Sequence, residues 1–189
     1  MPIAILENAC VREQVISISV NQYHKMNELG IIPEKTELVD GVVLEKMSKS
    51  PLHSYIVFLL NDFFAKHLSE MYIVRKEEPL TFKHSEPEPD IAIVKGQMKD
   101  FKTAHPNHAE LVIEVAISSL KLDRAKSDVY ALAEIPEYWV VIPTKKQIEV
   151  YTIPDNGRYK VVQIYRQTDK IEVMRDLILD LGKIFDLCD

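Results

Sequence analysis

Only five glycines occur in 189 residues, and none of them builds a Gly-rich phosphate loop, so nucleotide-cradle folds are disfavoured. There are two cysteines, Cys10 and Cys188, near opposite ends of the chain and without a partner pattern. That excludes a disulfide scaffold and reads as free thiols in a reducing compartment. The longest apolar stretch, Tyr55 to Leu60, is far too short to span a bilayer. Glu7, Arg12 and Glu13 interrupt the apolar beginning, which makes a poor signal peptide. A cytoplasmic protein with no membrane partner is the expectation. No dense lysine or arginine cluster is present, and the net charge is −6, so bulk electrostatics alone would not hold nucleic acid. His84, His105 and His108 lack metal-ligand spacing, and neither a Ser-nucleophile elbow nor a His-Glu-x-x-His motif occurs.

What is present suits one ordinary globular domain over residues 1–189, with 47% hydrophobic and 28% charged residues. Ser19 to Glu28 reads as a short helix stopped by Gly30. Asp40-Gly41 between Glu37-Leu-Val and Val42-Val-Leu-Glu-Lys is the strongest short hairpin signal. Ser50-Pro51 opens the clearest helix, with Ile56, Leu59, Leu60, Phe63 and Phe64 as its apolar stripe. Strands are predicted at Tyr72 to Val74 (with Phe82 as the end of a longer alternative), at Asp90 to Val94, around Glu114 and at Glu137 to Ile142. A second helix is predicted from Leu122 to Glu134, before Pro136. Lys146 to Ile153 and Arg158 to Tyr165 flank a turn at Asp155-Asn156-Gly157, and Ile178 to Phe185 reads equally as strand or docking tail. The order predicts an α/β fold, a mixed central sheet with helices on its faces.

Two acids stand out. Asp90 opens Asp90-Ile-Ala-Ile-Val94, and Glu114 interrupts Leu111-Val-Ile-Glu-Val115. Both runs are near-continuously apolar and β-branched, as strands buried on two faces are. A carboxylate there needs a reason, because an unpaired buried charge costs several kcal/mol. On neighbouring strands the two would lie ~5 Å apart. At an effective dielectric of ~20 they would repel by roughly 3 kcal/mol unless a cation or proton intervened. A divalent cation answers that need, and two acids with open positions are how Mg²⁺ is held beside phosphate. Lys126, Val129, Tyr130 and Ala133 share one face of the second helix, which places Lys126 at the edge of the sheet-facing side, able to point towards the acids. Other groups have structural readings. Glu86, Glu88 and Asp90 alternate on one face if extended, which resembles a calcium site, but a solvated strand entry with Asp90 alone functional is favoured. Asp123 suits the helix N-cap or a partner of the helix dipole, and Tyr130 packing.

Glu37-Leu-Val-Asp-Gly41, Ser50-Pro-Leu-His53, Glu88-Pro-Asp90, Val112-Ile-Glu-Val115 with Ser118-Ser119, Asp123-Arg-Ala-Lys126 with Tyr130, and Glu137-Tyr-Trp-Val-Val141 occur in that order. In that series the chain resembles the Uma2 family, formerly a domain of unknown function, within the PD-(D/E)xK restriction-endonuclease-like superfamily. The resemblance covers roughly residues 17–185. It implies a restriction-endonuclease-like core, with Asp90 as the first acid of the motif and Glu114 as the second. Ala116 stands where that motif has lysine, and the resemblance implies that Lys126 supplies the migrated lysine. Glu37 resembles an additional early acid that completes a metal site or positions water, and His53 matches a family histidine facing the core or the site. Ile142 replaces the aspartate usual after Tyr-Trp-x-Val, an aspartate taken as structural.

The function so implied is a Mg²⁺-dependent endonuclease (Mn²⁺ as a substitute) that hydrolyses DNA. Asp90, Glu114 and the Val115 carbonyl would hold the metal, and Lys126, Glu37 and His53 would assist. A homodimer is expected, since two sites about a two-fold axis suit two strands. The alternatives are a nuclease-fold module that binds nucleic acid or protein with weak or lost turnover, and a structural protein whose carboxylates pair internally with lysines.

Overall fold

The computed structural model describes residues 8–174 and 177–186. Cys10 is exposed, and Cys188 and the segment carrying Glu7 lie outside the described residues. No helix among the described residues is long and apolar enough to cross a membrane.

A four-residue helix, α1 (Ala9–Arg12), precedes α2 (Val20–Glu28). Ser19 and Gln22 close a capping box at the start of α2, which satisfies N–H groups that a helix terminus leaves free. The hairpin β1 (Thr36–Val39) and β2 (Val42–Glu45) turns at Asp40 and Gly41, both at positive φ, the type I′ geometry that matches strand twist. A side chain at Gly41 would collide with Ser17, which explains glycine at the second turn position. The hairpin forms its own two-stranded sheet. Leu38 exchanges backbone hydrogen bonds with Glu86, Gly41 N–H donates to the His84 carbonyl (2.8 Å), and Asp40 N–H donates to Ser85 Oγ (2.8 Å). These bonds dock β1 beside the segment that leads into Asp90.

Next come α3 (Pro51–His67), β3 (Tyr72–Lys76), β4 (Ile91–Lys95) and β5 (Leu111–Val115). They are followed by α4 (Leu120–Leu132), β6 (Glu137–Ile142), β7 (Gln147–Asp155) and β8 (Arg158–Arg166). The six strands from β3 to β8 lie in sequence order in one mixed sheet. Every neighbouring pair is antiparallel except β5 and β6, which α4 connects as a crossover. The region from Ile178 to Phe185 divides into both readings: β10 (Leu177–Asp180) pairs with β9 (Lys170–Val173), and α5 (Leu181–Phe185) follows.

Alternation along the strands separates two cores. Ile91, Ile93, Leu111, Ile113, Trp139 and Val141 face α3 and pack on its buried Ile56, Val57, Leu60 and Phe64. Ala92, Val94, Val112, Ala116, Tyr138 and Val140 form the opposite layer with Tyr130 of α4. Burying one large apolar side chain of this kind stabilises by about 1.5–3 kcal/mol, so these layers fix the helices on the sheet. Asp90 and Glu114 have the parity of the α4 layer.

Among the boundaries that differ from expectation, two have a visible cause. β3 stops at Lys76, short of Phe82, because Glu77 takes positive φ and the chain leaves the sheet edge. Helix α4 begins at Leu120 with Ser119 as N-cap, so Asp123 sits inside the first turn and is not the cap.

A half-exposed Arg124 clamps α4 onto β7 through two bonds to buried Glu149, Nε to Oε2 (2.9 Å) and Nη2 to Oε1 (2.5 Å). The hydrogen bond from Arg124 holds the Glu149 carboxyl below its ordinary range, against the effect of burial. A depressed folded pKa means stability that is present above the ordinary glutamate range and is lost as pH falls through the folded value. Arg124→Ala is therefore expected to cost about 1–2 kcal/mol in urea unfolding at pH 7. The difference from the parent should shrink as the pH falls below about 4, within the range where carboxylates protonate.

Candidate active site

Residue pairing brings the acids together. Ile91 pairs with Ile113 at the end of the β4–β5 ladder, so Asp90 just before that pair and Glu114 just after it lie at the same end of the two strands. Both are buried, at 7% and 5% exposure. They line a cavity of about 120 Å³ with Glu37, His53, Val115, Asp123 and Lys126. Three layers therefore converge: the docked hairpin, the ends of β4 and β5, and the first turns of α3 and α4.

Each acid is anchored through one oxygen. Asp90 Oδ2 accepts the Val115 N–H (2.7 Å) and bonds His53 Nε2 (3.0 Å). With Oδ2 as acceptor, the His53 proton sits on Nε2. His53 Nδ1 is buried without a hydrogen-bond partner. Its backbone is fixed by the cap of α3, where His53 N–H donates to Ser50 Oγ (3.2 Å). Glu114 Oε1 accepts from Lys126 Nζ (3.0 Å) and from the Tyr130 hydroxyl (3.1 Å).

Lys126 joins the hairpin to the sheet. Its ammonium lies 2.7 Å from Glu37 Oε1 and 3.0 Å from Glu114 Oε1, and all three residues are buried. Glu37 Oε2 in turn accepts the Glu88 N–H (3.2 Å), two residues before Asp90. Burial works against the Lys126 charge, but the two carboxylates outweigh it and raise the ammonium above its ordinary value. Burial pushes the Glu114 carboxyl up, against the pull of Lys126. Asp123 goes up to about 6 for the same reason, opposed by the Ser119 hydroxyl that donates to its Oδ2.

All the sequence-selected residues, Asp90, Glu114, Val115, Lys126, Glu37 and His53, meet at this cavity. Other expectations are corrected. The buried face of α4 is Asp123, Lys126 and Tyr130, spaced i, i+3 and i+7, with Val129 and Ala133 only half-buried at its margin. Lys126 thus lies within the buried face and not at its edge. Tyr130 packs as expected, yet its hydroxyl also reaches Glu114. That contact and the inward turn of Asp123 are what sequence reasoning missed, although the 123–126–130 spacing carries the signal. Glu86 is buried and bonded to His24 Nε2 (2.6 Å) and Thr81 Oγ1 (2.6 Å), not a solvated strand entry. Arg75 is buried away from the acids, beside Phe101 and His105. Lys46 and Lys49 line the cavity together with Lys126. Ile142 lies in the apolar layer facing α4, which accounts for the absence of an aspartate there.

Among the described residues, no group of three or more His, Cys, Asp or Glu side chains is poised to hold a metal ion. Two carboxylates can suffice for a hard cation that keeps several waters. The donor chemistry fits: each acid spends one oxygen on its anchors, and the cavity is lined by oxygen groups.

The family model of Uma2, described as "Putative restriction endonuclease", matches residues 20–182. A crystal structure from Anabaena variabilis, described as a "putative nuclease belonging to DUF820", superposes with a TM-score of 0.74 at 16% identity, covering 89% of this chain and 98% of that one. At that identity the likeness speaks for the fold. No curated protein matches the chain.

Removing the shared cation should be the most damaging single change at the site. Lys126→Met leaves Glu37 and Glu114 buried without it and is expected to cost about 3–5 kcal/mol in urea unfolding. Adding Glu114→Gln should recover part of that loss, with a coupling of about 1–3 kcal/mol, whereas Glu114→Gln alone should be far milder.

Proposed function

The chain belongs to the Uma2 family, and from that premise we propose that it is a divalent-metal-dependent endonuclease hydrolysing DNA phosphodiester bonds. The observation that carries this reading is the meeting of Asp90, just before β4, and Glu114 of the paired β5 at one cavity, with Lys126 reaching Glu114 from the next helix. In this reading Asp90, Glu114 and the Val115 carbonyl hold Mg²⁺, or Mn²⁺ in its place. When bound, such an ion polarises the phosphate and lowers the pKa of attacking water.

The remaining work belongs to side chains. His53 and the Val115 N–H hold Asp90 by one oxygen and fix its orientation. Lys126 stands beside Glu114 with a permanent positive charge, suited to steadying charge that develops on phosphate and to orienting water. Glu37 ties that ammonium to the wall through the Glu88 N–H. Two copies about a two-fold axis would present one such site to each strand of a duplex.

A second reading is a nuclease-fold binding module without turnover. It is favoured by the Lys126 ammonium bridging Glu37 and Glu114, which already balances charge that a cation would otherwise meet.

Cleavage of supercoiled plasmid in Mg²⁺, Mn²⁺ or EDTA, wild type beside Asp90→Ala purified identically, decides between them. The nuclease reading expects metal-dependent nicking that falls by roughly 100-fold or more in the variant. Equal nicking by both proteins, or none by the wild type, overturns it.

A further inference from the structure

We infer that Tyr130 is a positioning residue whose hydroxyl sets which oxygen of Glu114 is left free for a cation. The inference rests on the metal site proposed above.

Glu114 sits one residue from the end of β5, and its carboxylate can turn about its last bond. Lys126 alone constrains that rotation weakly. Its ammonium is carried on a flexible four-carbon stem and is shared with Glu37 at the shorter distance, 2.7 Å against 3.0 Å. The Tyr130 hydroxyl is held differently. Its ring is fully buried, 4.8 Å from Tyr138 and edge-on to Phe82 at 6.2 Å, so the hydroxyl has little freedom to move. It donates to the same oxygen that Lys126 meets, Oε1, from one turn further along α4. Two donors on Oε1 from one helix fix the carboxylate plane and leave Oε2 as the oxygen without an anchor. Phenylalanine would fill the same apolar layer at no desolvation cost, so packing alone does not call for the hydroxyl.

The test is Mn²⁺ binding by titration calorimetry, with thermal unfolding in parallel, on wild type, Tyr130→Phe and Tyr138→Phe. Tyr138 is the control, since its equally buried hydroxyl donates to the Asp123 backbone carbonyl (2.7 Å) and makes no hydrogen bond to Asp90 or Glu114. Tyr130→Phe is expected to weaken Mn²⁺ roughly 10-fold or more with little change in Tm, as loss of an outer hydrogen bond to a ligand does. Tyr138→Phe should leave Mn²⁺ affinity where it was. Unchanged affinity in Tyr130→Phe, equal weakening in both variants, unfolding of Tyr130→Phe, or no Mn²⁺ binding by the wild type overturns the inference. The expected Mn²⁺ pattern without plasmid cleavage would remove the nuclease reading and leave the positioning role standing.

Discussion

One ammonium group organises this molecule's polar interior. Lys126 Nζ is held between Glu37 and Glu114, all three side chains withdrawn from solvent. Taking such charges out of water costs several kcal/mol per ion, and only close pairing offsets it. The three elements that carry them are therefore not free to shift independently. The hairpin must stay docked for Glu37 to arrive, α4 must keep its rotation for Lys126, and the two strands must keep register for Glu114.

The apolar scaffold is arranged to satisfy that demand. Helix α3 buries four large side chains on one face of the sheet, and α4 packs Tyr130 on the other. Arg124 then locks the rotation of α4 against β7 from its solvent side, while Asp123, Lys126 and Tyr130 turn inward. Polar anchoring continues at each acid, since His53 and the Val115 N–H converge on Asp90 as Lys126 and Tyr130 converge on Glu114. The symmetry is chemical and not sequential: four donors from three different elements restrain two neighbouring carboxylates.

Much of this was legible in the residues. Caps, turn dipeptides and periodicity located α2, the β1–β2 hairpin, α3 and β6 closely, because those signals are local. The motif series brought together the residues that line the cavity. What escaped was orientation. Val129 and Ala133 looked like the centre of the buried face of α4, since apolar residues usually mark it. Here two charged residues and a tyrosine hold that place, and for Lys126 and Tyr130 only the partners waiting on β1 and β5 make burial tolerable. Non-local pairing of this kind leaves no trace in a window of sequence. Glu86 was misread for the same reason, its partners being His24, far upstream, and Thr81.

The single parallel pair in the sheet has a wider meaning. A parallel neighbour requires a crossover, and α4 is that crossover, so the helix that follows β5 returns over the face on which Glu114 stands. Ala116, two residues on, belongs to the same face and is fully covered by it. Lys126 accordingly meets Glu114 from twelve residues further along the chain, reaching down from the crossover onto the strand that the crossover left. Topology thereby separates the location of a charge from its place along the chain.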